Sequence, residues 1–168
     1  MTNAKRVRHL QLLYPGQIVL TASDWPDQSV FRLVAERLRL PLVGLAVPVQ
    51  QAVDILGNAD VYIGGRFHPS ILAMRGGTPV LALSSKWFKM RALTDMAGLP
   101  SATFDALDLE HETSAIGQRL LSFLEQGSDL RSRLRSWADE MAQNSWDNVA
   151  YLDLLRSRSG VPGNGVWD

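Results

Sequence analysis

Short apolar runs alternate with amphipathic segments along the first 105 residues of this chain. The apolar runs have the length of strands, and Gly, Pro, Asn and Asp residues separate them from segments with helical spacing. We predict strands at residues 17–21, 41–47, 60–63 and 80–83, with a short fifth strand at 102–104. The run PLVGLAV at 41–47 is almost continuously apolar, which is typical of a parallel strand covered on both faces.

A segment with helical spacing follows each of the first four predicted strands. In the first, residues 29–38, four apolar residues fall on one face: Val30, Leu33, Val34 and Leu38. Repeated strand–helix units with short joints predict an α/β fold, a Rossmann-like three-layer sandwich with a mainly parallel sheet of four to five strands. Ligands of such sheets bind at the carboxyl ends of the strands, where the turns after Thr21, Ile63 and Leu83 should meet.

After residue 105 the pattern is purely helical and forms a C-terminal extension. We predict one helix at 115–124, a stop at Gln126-Gly127, and a longer helix from Ser128. Apolar residues of the longer helix recur at helical spacing, which indicates a face that packs on the domain or on a partner: Leu130, Leu134, Trp137, Met141, Val149, Leu152 and Leu155. The expected organisation is an α/β domain over residues 1–126, the long helix over 127–158, and a loose tail over 159–168.

Composition and charge narrow the class of protein. The 168 residues are 46% hydrophobic and 20% charged, as in ordinary globular domains. Seventeen basic and seventeen acidic residues cancel, so no overall field favours nucleic acid. The chain has no cysteine, and neither a signal segment nor a membrane span is recognisable. We therefore expect a cytoplasmic protein, with the basic residues near the N-terminus (1–9) forming a solvated end.

Candidate chemistry concentrates in the stretch from residue 58 to 100. There Gly64-Gly65 end a predicted strand, and Arg66 and His68 follow at the expected start of a helix. A helix N-terminus favours an anion, and Arg suits a carboxylate or phosphate. Histidine can transfer a proton near neutral pH. We expect the two glycines to let a ligand approach the backbone closely; the competing interpretation of His68 is a purely structural role.

The next predicted strand ends in a second group of polar residues. Ser84 follows the strand and could begin a helix that carries Lys86 and Lys89. These cations would face the same edge as Arg66 if both turns open there, and solvent exposure without a ligand is the alternative for each lysine.

Other functional motifs are missing from the sequence. It contains no GxGxxG, no GxxxxGK[ST] and no GxSxG, which removes the main support for dinucleotide, P-loop nucleotide and serine-hydrolase sites. His111-Glu112 alone is a weak zinc pattern. We therefore predict no metal and no cofactor.

The stretch ADVYIGGRFHPSILAMRGGTPVLAL resembles the signature segment of the polysaccharide pyruvyl transferase family. The matching pieces share the order of that signature: Ala59-Asp60, Gly64, Arg66, His68, Ala73, Gly77, Pro79-Val80, Ser84 and a lysine, either Lys89 or Lys86. About forty residues resemble the family closely, and residues 15–125 agree in general shape.

The resemblance implies the C-terminal, donor-binding half of a GT-B-like fold. This half would bind phosphoenolpyruvate, whose pyruvyl group is transferred to a sugar acceptor. Arg66 would hold the donor's carboxylate or phosphate, His68 would act as general acid, and the lysine would neutralise phosphate. Because the chain is about half the family's length, we expect a second Rossmann-like domain or chain to supply the acceptor side.

Two alternatives remain open from the residues. One is the nucleotide-sugar-binding half of a GT-B glycosyltransferase. The other is a non-catalytic Rossmann-like partner subunit that assembles through the C-terminal helix, in which case Leu134 and Trp137 would matter for assembly and His68 would not.

Overall fold

The computed structural model describes residues 3–84, 88–100, 103–109 and 111–150. Within them the elements alternate in the predicted order. They are α1 (Asn3–Leu13), β1 (Leu20–Thr21), α2 (Trp25–Leu38), β2 (Leu42–Val43), α3 (Val49–Gly57), β3 (Tyr62–Gly64), α4 (Phe67–Arg75), β4 (Val80–Ser84), α5 (Phe88–Met96), β5 (Phe104–Asp105) and α6 (Thr113–Ser145).

All five predicted strands form, and every pairing between them is parallel. The α/β class with a helical C-terminal extension is therefore confirmed. The single sheet is not, because β1 pairs with β2 in one sheet and β3-β4-β5 form another. The strands are only two to five residues long, so a β1–β3 ladder would add few hydrogen bonds. A cavity lined largely by apolar side chains lies between β1 and β3 instead.

The N-terminal segment differs from its prediction. Residues 1–9 were expected to be a solvated end, but α1 begins at Asn3 and its Ala4 is buried together with Leu20 of β1. Val7 packs against the same cluster. The segment has an apolar side that was not predicted, because basic residues such as Lys5 and Arg8 alternate along the sequence with the apolar residues that contact the domain.

Helix α2 begins four residues earlier than predicted. Asp24 is its N-cap and accepts a hydrogen bond from the Asp27 backbone N–H at 2.8 Å, and Pro26 lies in the first turn. Asp is a preferred N-cap residue and Pro is tolerated in a first helical turn, where its missing N–H needs no partner. The turn expected after Thr21 is thus shorter than predicted, and residues 25–28 form the first turn of the helix.

Two hydrophobic clusters make up the core of the described residues. The larger one surrounds β4, whose Val80 and Leu81 are each 1% exposed, and includes Met74 of α4 and Leu134 of α6. The smaller one joins α1, β1 and α2, and its buried residues are Ala4, Leu20, Val34 and Ala35. The sheet that contains β4 is therefore packed against many more buried apolar side chains than the sheet of β1 and β2.

Helices α3 and α4 approach each other closely at two glycines. A Cβ built on Gly76 would lie 2.2 Å from the Cα of Gly57, closer than any real contact. Arg131 of α6 donates hydrogen bonds to the carbonyls of Gly57 at 2.9 Å and Ala59 at 2.7 Å, and Arg135 donates to the carbonyl of Gly76 at 2.9 Å. The C-terminal ends of α3 and α4 thus receive their hydrogen bonds from α6.

Helix α6 is interrupted at Gly127, whose φ of 50° and ψ of −127° are not helical. This agrees with the stop predicted at Gln126-Gly127. Beyond it Leu130 and Leu134 are buried, and Trp137 packs on the larger cluster. The apolar face up to Trp137 therefore serves the chain's own core.

The remainder of the predicted helix can be followed only in part. Leu152, Leu155 and the tail at 159–168 lie outside the described residues. In the described part of the chain, no helix combines the length and the apolar character that crossing a membrane would require.

Candidate functional site

The carboxyl ends of the strands form the edge on which a ligand is expected. Gly64 ends β3 and pairs with Ala82, while Ser84 ends β4 and pairs with Asp105 of β5. In the other sheet Thr21 ends β1. The segments that follow β1 and β3 both carry charged side chains.

A cavity of about 990 Å³ lies between the two sheets. Its walls are largely apolar and include residues from α1, β1 and β3. Polar residues near the carboxyl edge also line it, among them Ser23, Asp27 and Arg66. A cavity of this size can hold a small molecule, with its polar groups at this rim.

Arg66 is the central charge of the rim. It is the N-cap residue of α4, and its guanidinium nitrogen Nη2 lies 2.7 Å from Asp24 Oδ2 and 2.7 Å from Asp27 Oδ1. The hydrogen bond to Asp27 is the main reason why the pKa of Arg66 is raised above its ordinary value. Since Arg66 follows β3 and both aspartates follow β1, these contacts connect the two sheets.

The two aspartates are themselves fixed by the backbone. Asp24 Oδ1 accepts the hydrogen bond of the helix cap, and Asp27 Oδ2 accepts a longer one from the Ser23 N–H at 3.4 Å. One carboxylate oxygen of each aspartate thus faces the backbone and the other faces Arg66. The cluster of two carboxylates and one guanidinium carries a formal charge of −1, not the positive charge expected from Arg66 alone.

Two tyrosines, Tyr14 and Tyr62, line the cavity between the two sheets. Burial raises the pKa of Tyr62 to about 12, and the nearby charge of Asp27 contributes in the same direction. Tyr14, which precedes β1, donates a hydrogen bond to Asp60, which precedes β3. That hydrogen bond is the main reason why the pKa of Tyr14 is raised. Side-chain contacts therefore link the two sheets before the strands begin as well as after they end.

His68 is placed differently from Arg66. It is the second residue of α4 and is exposed, with its ring edge-on to Phe67 at a centroid distance of 5.7 Å. Among the described residues that line the cavity, His68 does not occur. His68 therefore lies at the surface at the start of α4, apart from the cavity wall to which Arg66 belongs.

The second predicted group is described only in part. Lys89 lies in the first turn of α5 and is exposed. Ser84 ends β4, but its side chain and the whole of Lys86 lie outside the described residues. Helix α5 does lie beside α4, since the Ser70 hydroxyl is 3.9 Å from the Met90 sulfur.

The two glycines have different surroundings. A Cβ on Gly65 would lie 2.6 Å from the carbonyl oxygen of Leu83, so β4 itself requires glycine there. A Cβ on Gly64 would meet the hydroxyl of Tyr62 at 2.6 Å, and that is the far end of a side chain. Close packing of β3 on β4 thus accounts for Gly65 without a ligand.

Asp24 and Asp27 are the residues of this site that sequence reasoning missed. A usable signal was present, since Asp-x-x-Asp with an intervening Pro after a short strand marks a helix N-terminus. In a parallel sheet that helix must start at the same edge as the Arg66 turn.

Among the residues that the structure describes, no group of three or more His, Asp or Glu residues could hold an ion. His111, the weak zinc candidate, has its Nδ1 atom 2.5 Å from Asp108 Oδ1.

Comparison with known proteins agrees with the resemblance noted in the sequence. A family model described as polysaccharide pyruvyl transferase matches residues 8–86. The matched segment contains Asp24, Asp27, Arg66 and His68 and ends before Lys89. No curated protein and no solved structure gave a significant match.

Proposed function

We propose that the chain is the donor-binding part of a polysaccharide pyruvyl transferase-like enzyme, because the model of that family matches residues 8–86. The donor would be phosphoenolpyruvate, and the product would be a pyruvate ketal on a sugar of a polysaccharide. The observation that carries the proposal is the position of Arg66, a family-signature residue at the carboxyl edge of the strands and at the rim of the large cavity.

Arg66 is suited to recognise the anionic end of the donor. Its side chain is 49% exposed, so a ligand can reach it from solvent. Guanidinium groups pair with carboxylates and phosphates through two parallel N–H···O bonds, which fixes the orientation of the partner as well as its position. In this proposal Arg66 binds the carboxylate or the phosphate of phosphoenolpyruvate.

His68 takes the role of general acid. A proton from His68 would pass to the methylene carbon of the donor, which becomes a methyl group while C2 becomes electrophilic. One acceptor hydroxyl would then bond to C2 and return its proton to His68. The bond from C2 to the phosphate oxygen would break, and a second hydroxyl would complete the ketal while its proton leaves with the phosphate. Exposure of His68 on the first turn of α4 is compatible with this role because the donor must reach it from outside.

Lys89 or Lys86 would stabilise the departing phosphate. Lys89 is exposed at the start of α5, the helix next to α4, and a lysine ammonium there can contact a phosphate without a fixed geometry. The acceptor sugar would be held by a second Rossmann-like domain or chain that faces this edge, as in a GT-B-like enzyme.

Calorimetric titration with phosphoenolpyruvate tests the donor proposal. We expect the unmodified protein to bind and Arg66→Ala to bind at least about tenfold more weakly, because a charged hydrogen bond contributes roughly 1.5–3 kcal/mol. Arg133→Ala is the matched control: Arg133 is exposed on α6, so its loss changes the net charge equally and should leave the affinity unchanged.

Other ligands separate the alternatives. Tight binding of a UDP- or GDP-sugar, with no response to phosphoenolpyruvate, would support the glycosyltransferase alternative. Binding of neither ligand, or equal affinity of Arg66→Ala and the unmodified protein for phosphoenolpyruvate, would contradict the proposal.

A further inference from the structure

The arrangement of Asp24 and Asp27 around Arg66 bears on how an anion can enter the site. Both carboxylates contact the same guanidinium nitrogen, Nη2, at 2.7 Å. A planar guanidinium has two edges that can each bind an anion through two N–H groups. One edge is formed by Nε and Nη2 and the other by Nη1 and Nη2. Because Nη2 belongs to both edges, the two aspartates together interfere with anion binding at each of them.

We propose that Asp24 and Asp27 form an autoinhibitory clamp on Arg66, so that a bidentate carboxylate or phosphate binds only after displacing at least one of them. This inference rests on the proposed function, since it assigns the anion site to Arg66. It adds that the ligand-free site is closed by the chain's own carboxylates.

The clamp is built into the fold. Asp24 is held at the N-cap of α2 and Asp27 lies one turn later, so both carboxylates are carried by the same helix terminus. Asp27 is the less exposed of the two, at 20% against 40% for Asp24. Fixed carboxylates lose less conformational entropy when they bind a cation than mobile ones do, which favours the closed arrangement.

Charge acts in the same direction as geometry. The two aspartates exceed the charge of Arg66 by one unit, so an incoming dianion or trianion is repelled at the rim. A unit charge about 4 Å away corresponds to roughly a fivefold change in affinity at the dielectric constant of water. Removing one aspartate charge should therefore strengthen anion binding, although it removes a contact of Arg66.

Asparagine variants test the clamp directly. We expect Asp27→Asn to bind phosphoenolpyruvate about fivefold more tightly than the unmodified protein, and D24N/D27N to bind more tightly still. Asparagine keeps the shape, and it is also a good N-cap residue, so Asp24→Asn should leave α2 intact. The control D139N/E140Q makes the same change of net charge on exposed residues of α6 and should not alter the affinity.

A second readout does not depend on phosphoenolpyruvate. Arginine-selective modification with phenylglyoxal, followed by mass spectrometry, should modify Arg66 several-fold faster in D24N/D27N than in the unmodified protein. Arg91, which is 70% exposed on α5, serves as an internal standard whose rate should not change. Circular dichroism at increasing temperature verifies that each variant is folded.

The outcomes separate this inference from the function on which it rests. Unchanged or weaker phosphoenolpyruvate binding by the asparagine variants, with binding lost in Arg66→Ala, would overturn the clamp and keep the donor site. No phosphoenolpyruvate binding by any variant, with faster modification of Arg66, would overturn the donor proposal and keep Arg66 covered by the aspartates. Equal modification rates in all variants would overturn the clamp.

Discussion

Burial controls the ionisation of Tyr62, the tyrosine beside the charged rim. Its hydroxyl lies in the gap between the two sheets, close to Asp27, and both burial and the aspartate charge disfavour the phenolate. The pKa of about 12 in the folded protein exceeds the ordinary value of 10. The unfolded chain therefore loses this proton first as the pH rises.

We predict that Tyr62 makes folding sensitive to pH between 10 and 12. The contribution of Tyr62 to the free energy of unfolding is fully present below pH 10. It falls by about 2–3 kcal/mol in total as the pH rises towards 12. Urea unfolding at pH 9.5 and pH 11.5 should show a smaller loss of stability for Tyr62→Phe than for the unmodified protein. Equal losses would contradict the prediction, because all other titrating groups are common to both proteins.

At the scale of elements, one arginine of α6 connects three helices. Arg131 donates to the carbonyls that end α3, at Gly57, and to Ala59 just beyond it. A weaker contact at 3.4 Å reaches Gly76, the residue that follows α4. The last carbonyls of a helix have no partner within that helix, so Arg131 satisfies the acceptor that α3 leaves open at Gly57, while Arg135 is the nearer donor to Gly76.

We predict that Arg131→Ala destabilises the protein by about 1.5–3 kcal/mol, because it removes the charged donor to the carbonyl of Gly57 and one of the two donors to the carbonyl of Ala59. Arg133→Ala, two residues along the same helix, removes an exposed side chain that donates a hydrogen bond to Gln126 at 3.1 Å, and it should change stability by less than about 0.5 kcal/mol. The free energies of unfolding from urea titrations provide the comparison. A similar effect of both substitutions would show that Arg131 has no special role.

At the scale of the whole molecule, the two sheets have unequal hydrophobic support. The sheet with β4 lies in the larger cluster, whereas β1 and β2 depend on the smaller one around Leu20 and Val34. No backbone ladder joins β1 to β3 within the described residues. The side-chain contacts of Arg66 and Tyr14 do connect the sheets, but both are exposed to water and so are weak.

We predict that the unit of α1, β1, α2 and β2 opens more readily than the rest. Hydrogen exchange should be at least about tenfold faster for amides at 20–22 and 42–43 than for those at 80–84, because protection follows buried apolar contacts. Leu20→Ala should accelerate exchange in the first unit and leave β4 nearly unchanged. Uniform exchange rates across both sheets would mean that the chain opens as one cooperative unit.

How much the sequence predicted depends on the range of the interaction. Periodicity and turn residues located all five strands and the stop at Gly127, because each signal is contained in a few neighbouring residues. For the same reason, the signature around Arg66 and His68 predicted the family whose model matches residues 8–86. The start of α2 was misplaced although its capping residues were visible in the sequence.

The sequence by itself thus determined the class of fold, the order of the elements, the edge that carries the candidate site and the resemblance to a family over residues 8–86. Tertiary structure alone decided that β1 and β3 face a cavity, that Arg131 donates to the carbonyl that ends α3, and that Asp24 and Asp27 contact Arg66. Those contacts join residues 39 to 74 positions apart. A local motif can place such residues at one edge of a sheet, but the pairs themselves form only when the packed core fixes where each helix begins and ends.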